Sequence, residues 1–197
     1  VRDLATLADN RFQQGGPPIT VAASAGTIDL LRTHFFNGKL WPDFTKIHTK
    51  DGPTLVFEAL KPEEAHTIAG LAIKAIPVSH TIETTAFLVD DGHSSIAYSG
   101  DTGPTERLWQ VLAAQRNLKG LLMEVSFPNE HQDMAIASGH HTPQTLALEL
   151  QKLRAHPDLP VMLFHIKPVF QAQVEKELGK FSRSALEVLK LGDMFSF

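Results

Sequence analysis

Residues 71–103, LAIKAIPVSHTIETTAFLVDDGHSSIAYSGDTG, decide how this chain is read. Three apolar or β-branched runs, 71–78, 87–89 and 96–98, have the character of strands. The second and third flank Asp90-Asp91-Gly92-His93, a hairpin signal. The first run ends in Pro77-Val78-Ser79-His80, and the third passes through Tyr98-Ser99-Gly100 into Asp101-Thr102-Gly103. Two strand exits therefore carry side chains that can bind a metal. The same occurs further on, where Val161 to Phe164 leads into His165-Ile166-Lys167-Pro168. A fourth segment, Ser138-Gly139-His140-His141-Thr142-Pro143, precedes a helix that starts near Pro143, a favourable first-turn residue. Polar groups at the ends of buried strands can converge on one sheet edge. Imidazole nitrogens with a carboxylate form a ligand set for zinc, manganese or iron.

Singly, each residue has a plainer role. A histidine at a strand end is commonly a hydrogen-bonded structural residue. Asp101 can hold a turn through its side chain, and His140-His141 can belong to an ordinary loop entering a helix. It is the four segments in this order that favour a shared metal site.

Around these segments, 19–23 reads as a strand after the Gly-Gly-Pro-Pro turn at 15–18. Ser24 can cap a helix running to about Phe36, with Ile28, Leu31 and Phe35 at helical spacing. A strand is expected over 54–59 and a helix over 105–115. An apolar run from Leu121 to Val125 is interrupted by Glu124. The helix from Pro143 carries Leu146, Leu150 and Leu153, another covers 169–178, and 186–197 suggests a closing hairpin around Gly192-Asp193. Alternating strands and helices in the second half imply α/β layering, and one domain over 1–197 is the simplest organisation.

The chain has 197 residues, enough for a sizeable core, with 43% hydrophobic and 20% charged residues. Its net charge of −4 argues against a general nucleic-acid binder. A small phosphate-bearing substrate remains compatible, because bound metal would dominate the local field. The absence of cysteine excludes disulfides and thiolate-bound zinc. No apolar stretch reaches membrane-spanning length. No export signal is visible, and the compartment stays open between cytoplasm and periplasm.

The order Pro-Val-Ser-His80, hairpin, Gly-Asp101-Thr and a late strand-end His165 resembles the later metal motifs of the metallo-β-lactamase fold superfamily. Within it, Gly139-His140-His141-Thr142-Pro143 and Phe164-His165-Ile166-Lys167-Pro168 resemble the branch shared by ribonuclease Z and the class II cyclic-nucleotide phosphodiesterases. Residues 27–37 (TIDLLRTHFFN) with Leu40-Trp41-Pro42-Asp43-Phe44 are similar to the second of these. The superfamily's His-x-His-x-Asp-His motif is absent. The resemblance then implies an αββα sandwich lacking its N-terminal strands, in a chain that starts just after that motif.

By this resemblance His80 ligates one metal, His165 the other, and Asp101 bridges them. The cofactor expected is a pair of divalent ions, zinc with manganese or iron as alternatives. The implied reaction is hydrolysis of 3′,5′-cyclic nucleotides (cAMP or cGMP) to 5′-monophosphates by a metal-bridged hydroxide. His140 is implied to face the leaving oxygen, as an acid or as a hydrogen-bonding residue, and Glu124 to orient it. The partner expected is the cyclic-nucleotide substrate, with no membrane or nucleic acid, and a homodimer is compatible. A ribonuclease Z-like endonuclease and a non-catalytic relative that binds a ligand or partner stand as alternatives. Trp41 has two readings, stacking on a purine or anchoring its loop. His34 is read as packing or capping, and Glu130 and Asp133 as members of a polar loop before Ser138.

Overall fold

The computed structural model of the chain describes residues 3–181 and 186–197. Its packing falls into two units, one up to Lys61 and one from Pro62 onward. The first contains α1 (Leu4–Gln14), β1 (Ile19–Ala23), α2 (Ala25–Leu30), a π-helical turn (Leu31–Phe35), the small hairpin β2 (His48–Thr49) and β3 (Gly52–Pro53), and β4 (Leu55–Ala59). Strand β1 pairs parallel with β4, Ile19 opposite Leu55. Ser24 caps α2 as its residue type predicts, its side chain accepting from Thr27 N–H at 3.1 Å. Ala5, Ala8, Phe36, Phe44 and Leu55 form the core of this unit.

The second unit contains β5 (Ala65–Ile68), β6 (Leu71–Val78), β7 (Thr84–Asp90), β8 (Ser95–Tyr98), α3 (Arg107–Ala114) and β9 (Leu118–Glu124). A short 3₁₀ turn (Asn129–His131), α4 (Gln132–Ser138), α5 (Pro143–Leu150), β10 (Val161–Phe164), a second 3₁₀ turn (Pro168–Phe170), α6 (Gln171–Leu178) and β11 (Leu186–Val188) follow. Seven strands make one sheet in the order β11-β10-β9-β8-β7-β6-β5. One face of it is apolar by strict alternation: Ala86 and Leu88 on β7, Leu121 and Met123 on β9, Val161 and Leu163 on β10. Leu108 and Leu112 of α3, Leu146 and Leu150 of α5, and Val174 and Leu178 of α6 share this core.

Strand direction then fixes where the site forms. Both β6 and β8 run antiparallel to β7. Strand β9 is parallel to β8, and β10 to β9. Hence β6, β8, β9 and β10 all point the same way, and their C-terminal ends lie on one sheet edge. His80 follows β6, Asp101 follows β8, Glu124 ends β9 and His165 follows β10.

Two expectations need correction. The terminal hairpin does not form: β11 is an edge strand parallel to β10, with Val161 opposite Leu186, and 194–197 carry no strand. The Gly192-Asp193 signal marks only a turn, closed by Lys190 N–H donating to Asp193 Oδ2 at 2.7 Å. Nor is the region of Glu130 and Asp133 a loop. It is the 3₁₀ turn and α4, whose one buried residue, Ala135, gives too small an apolar signal to read. Among the described residues no helix is long and apolar enough to cross a membrane.

A buried polar knot ties α3 to α5. Glu149, 4% exposed, accepts from Trp109 Nε1 at 2.6 Å, Thr105 N–H at 3.1 Å and Lys152 Nζ at 2.6 Å. Glu149→Ala would strand the indole and Thr105 donors in a dry interior, at about 1–3 kcal/mol for each donor left unmade. The expected result is a clear drop in the urea midpoint without change at the sheet edge. A midpoint equal to the parent's would show that the knot contributes nothing net.

Candidate metal centre

Each site residue is placed by local backbone chemistry. Gly100 precedes Asp101 with φ +63°, and a Cβ there would lie 3.0 Å from the Thr85 carbonyl oxygen. Only glycine makes that turn without strain. Past Asp101, Gly103 N–H donates to Ser79 O at 2.7 Å, lashing the Asp101 loop to the residue before His80. His165 has φ 71°, a left-handed conformation uncommon for a non-glycine residue. Such strain persists where surrounding structure fixes it, and it concentrates at functional sites.

The segment 138–143 joins two helices. Gly139 is the left-handed C-cap of α4 at φ 70°, ψ 44°, and its N–H bonds back to Ala135 and Ile136 carbonyls. Thr142 is the N-cap of α5 in a capping box with Thr145, and Pro143 opens the helix. His140 and His141 are the two residues between caps, and they point apart. The His140 ring lies 4.9 Å from that of His80 and 5.0 Å from that of His165. His141, fully buried, turns instead to Thr145 Oγ1 at 3.1 Å.

Glu124 is the hub. Its Oε2 accepts from Ser126 Oγ at 2.8 Å and its Oε1 from the His141 N–H at 2.8 Å. His140 Nδ1 is 3.3 Å from Oε2, within ion-pair range but without hydrogen-bond alignment, and has no other partner. His165 Nδ1 is 3.8 Å from the same oxygen and 3.5 Å from Asp101 Oδ1. Burial pushes the Glu124 carboxyl up, but the neighbouring His140, His165 and His141 imidazoles and the Ser126 hydroxyl outweigh it, and the group sits below its ordinary range. Burial pushes His141 the other way, below the ordinary imidazole value, despite the Glu124 and Glu149 charges. The hub is thus an anion flanked by a neutral His141 at neutral pH.

Ser126 is a site residue that the sequence reading missed. Its Oγ–H is committed to Glu124, so the 3.0 Å contact with His165 Nδ1 requires Nδ1–H to be the donor. That leaves Nε2 of His165 with the lone pair. The signal was present: Glu124 and Ser126 are two residues apart leaving a strand, the spacing that returns side chains to the same side. His80 is oriented similarly. Its Nδ1 lies 2.9 Å from Gly139 O, an acceptor only, so Nδ1 carries the proton and Nε2 is free to ligate.

The donor set suits a divalent metal. His80, Asp101 and His140 offer ligand atoms within 4.8 Å of one another, as do Glu124, His140 and His165. Imidazoles locked in one tautomer by a carbonyl or hydroxyl, beside carboxylates, are the arrangement metal sites use. The five residues singled out in the sequence, His80, Asp101, Glu124, His140 and His165, are thus brought to one place. His131 is not among them; it stands against Phe170, ring centroids 4.8 Å apart. His34 and Trp41 belong to the first unit, Trp41 with its N–H on Phe35 O at 3.2 Å.

Gly139 supplies a test of this geometry. A Cβ there would lie 2.8 Å from His80 Nδ1 and 3.1 Å from its Cα, on a backbone already at positive φ. Gly139→Ala is expected to displace the His80 ring, with a loss of about 1–2 kcal/mol from the left-handed conformation alone. Lowered thermal midpoint and lowered zinc content should appear together. Zinc retained at the parent level would show that His80 does not ligate.

Comparisons with known proteins agree with this architecture. The family profile of class II cAMP phosphodiesterases matches residues 10–177. A protein of Yersinia pestis named a probable 3′,5′-cyclic-nucleotide phosphodiesterase is 35% identical over 176 residues, 77% of this chain and 50% of that protein. The chain spans about half the length of the curated relatives it matches. Among solved structures, unliganded yeast PDE1 superimposes with a TM-score of 0.81 at 22% identity, covering 96% of this chain and 63% of that one. A metallo-β-lactamase fold protein of Bacillus subtilis gives 0.74 at 15% identity, covering 99% and 72%. The fold is α/β of the metallo-β-lactamase type, and the chain belongs to the class II cAMP phosphodiesterase family.

Proposed function

We propose that this site hydrolyses the phosphodiester of 3′,5′-cyclic nucleotides to 5′-monophosphates, with His80, Asp101 and His165 holding two divalent cations, zinc in the first instance. The observation that carries the reading is the convergence of three imidazoles and two carboxylates on one sheet edge, in a chain of this family. Bound divalent cations supply Lewis-acid polarisation of phosphoryl oxygens and a deprotonated water near neutral pH. The chain's own residues do the rest. Asp101 would hold the cations through its carboxylate. The Gly139 carbonyl and the Ser126 hydroxyl hold the His80 and His165 rings with Nε2 available. On this reading His140, 7% exposed and backed by the Glu124 carboxylate, would hand a proton to the departing 3′ oxygen.

The test is hydrolysis of cAMP and cGMP by the full-length protein, followed as release of 5′-monophosphate before and after chelation. Metal-replete protein that leaves both intact would sink the reading. A second expectation concerns the 197-residue chain. Three proposed protein ligands are fewer than the roughly four that one zinc ion prefers, so by itself it should hold two ions weakly. Equilibrium dialysis returning a tight stoichiometric pair would contradict the ligand assignment.

A further inference from the structure

We propose that Lys167 is the phosphate-binding cation of this site, a role that builds on the phosphodiesterase reading and adds a substrate contact to it. His165 sits at φ 71°, and the chain turns there so that Lys167 comes back onto the site. The Lys167 N–H donates to Ser126 O at 3.2 Å, fixing its backbone to the residue that orients His165. Its Nζ lies 3.4 Å from His165 Nε2 and 5.8 Å from the centroid of the Phe127 ring. Both of those rings border His140, at centroid distances of 5.0 and 5.9 Å. The half-buried ammonium therefore stands beside the His140–His165 pair and over an aromatic face; once His165 Nε2 ligates a cation, that lone pair is taken and the ammonium's three donors are left for an anion.

What it lacks is an anion. Among the described residues no carboxylate is paired with Lys167, whereas Lys152 engages both Glu106 and Glu149. An ammonium offers three donors and a compact charge, and against a phosphodiester it would contact a non-bridging oxygen. Such a contact strengthens as charge builds on the equatorial oxygens during transfer.

The experiment titrates zinc-loaded full-length protein with inorganic phosphate by calorimetry, with metal content measured on the same samples. Lys167→Met is expected to weaken phosphate roughly 10- to 100-fold, the loss typical of a hydrogen bond to a charged group, with zinc unchanged. Lys167→Arg should recover most of the affinity. Inorganic phosphate has neither base nor sugar, so the result does not depend on cyclic nucleotides being the substrate. Lys167-dependent phosphate binding in a protein that leaves cAMP intact would sink the hydrolase reading and keep this one. Unchanged phosphate affinity in Lys167→Met, loss of zinc in parallel with phosphate, or a parent protein that binds no phosphate would each overturn it.

Discussion

Asp101→Ala in the full-length protein is expected to abolish cyclic-nucleotide hydrolysis and to strip metal in the same samples. Of the two site carboxylates Asp101 is the one partly open to solvent, and its Oδ1 is 3.5 Å from His165 Nδ1. Glu124, by contrast, is fully buried and spends its oxygens on Ser126 and the His141 backbone. The division of labour follows from these partners. On the proposed reading Glu124 would organise the imidazoles from behind, leaving Asp101 to face a cation. Removing a residue that only orients a ligand costs roughly 10–100-fold in metal affinity or activity. Loss of a carboxylate that serves two cations should exceed that. The backbone of the loop should survive, because Gly103 N–H holds it to Ser79 O at 2.7 Å independently of the Asp101 side chain. Zinc at the parent level in a folded Asp101→Ala protein would remove Asp101 from the ligand set.

How far the sequence carried this picture differs from element to element. Strand β6 over 71–78 and β10 over 161–164 lie where their apolar runs predicted, because each run is mostly apolar and is followed by polar residues, Ser79-His80 and His165, that cannot continue into the core. The hairpin of β7 and β8 was legible from Asp-Asp-Gly, whose carboxylates cap the turn through Asp90 Oδ1 to Gly92 N–H and Asp91 Oδ1 to Ser94 N–H, both 2.7 Å. Helix α1 was not legible. Its buried positions are Ala5 and Ala8, while Leu7 and Phe12 are half-exposed, so the apolar stripe is carried by the wrong residues for a periodicity argument. The terminal segment failed for the opposite reason. A turn signal between two apolar runs predicts a hairpin only if no better partner exists, and Leu186–Val188 has one in β10.

The site shows the same division. His80, Asp101 and His165 were visible because each ends a strand, and strand direction alone sends those ends to one edge. Ser126 was not named at all, and Gly139 and Lys167 were seen only as members of their motifs, because what such residues do is set by tertiary partners. Nothing local says that the Gly139 carbonyl meets His80, 59 residues away along the chain. Glycine there reads as a helix C-cap, which it is, and the cap's carbonyl is what fixes the His80 tautomer.

His140 is where catalysis and ligation separate, and the second large effect is expected there. Its ring is flanked by those of His80 and His165, so by distance alone it could belong to either donor triad. Its Nδ1, however, faces the buried Glu124 carboxylate at 3.3 Å, the kind of partner that orients an imidazole. A proton-donating His140 predicts that His140→Ala keeps zinc and loses about 10²–10⁴ in the rate of cAMP hydrolysis. The loss should shrink sharply on a bis-nitrophenyl phosphodiester, whose leaving oxygen departs without protonation. Equal losses on the two substrates would end the acid role and leave His140 as a phosphate-binding or structural residue. Zinc lost along with activity would instead place it among the ligands. Glu124→Gln completes the argument, since it keeps the shape of the hub and removes the charge. If Glu124 acts by favouring the protonated ring, the amide should depress the cAMP rate while sparing the activated substrate, the same asymmetry at reduced size. A Glu124→Gln protein with equal rate losses on both substrates would show that the hub acts through geometry and not through charge.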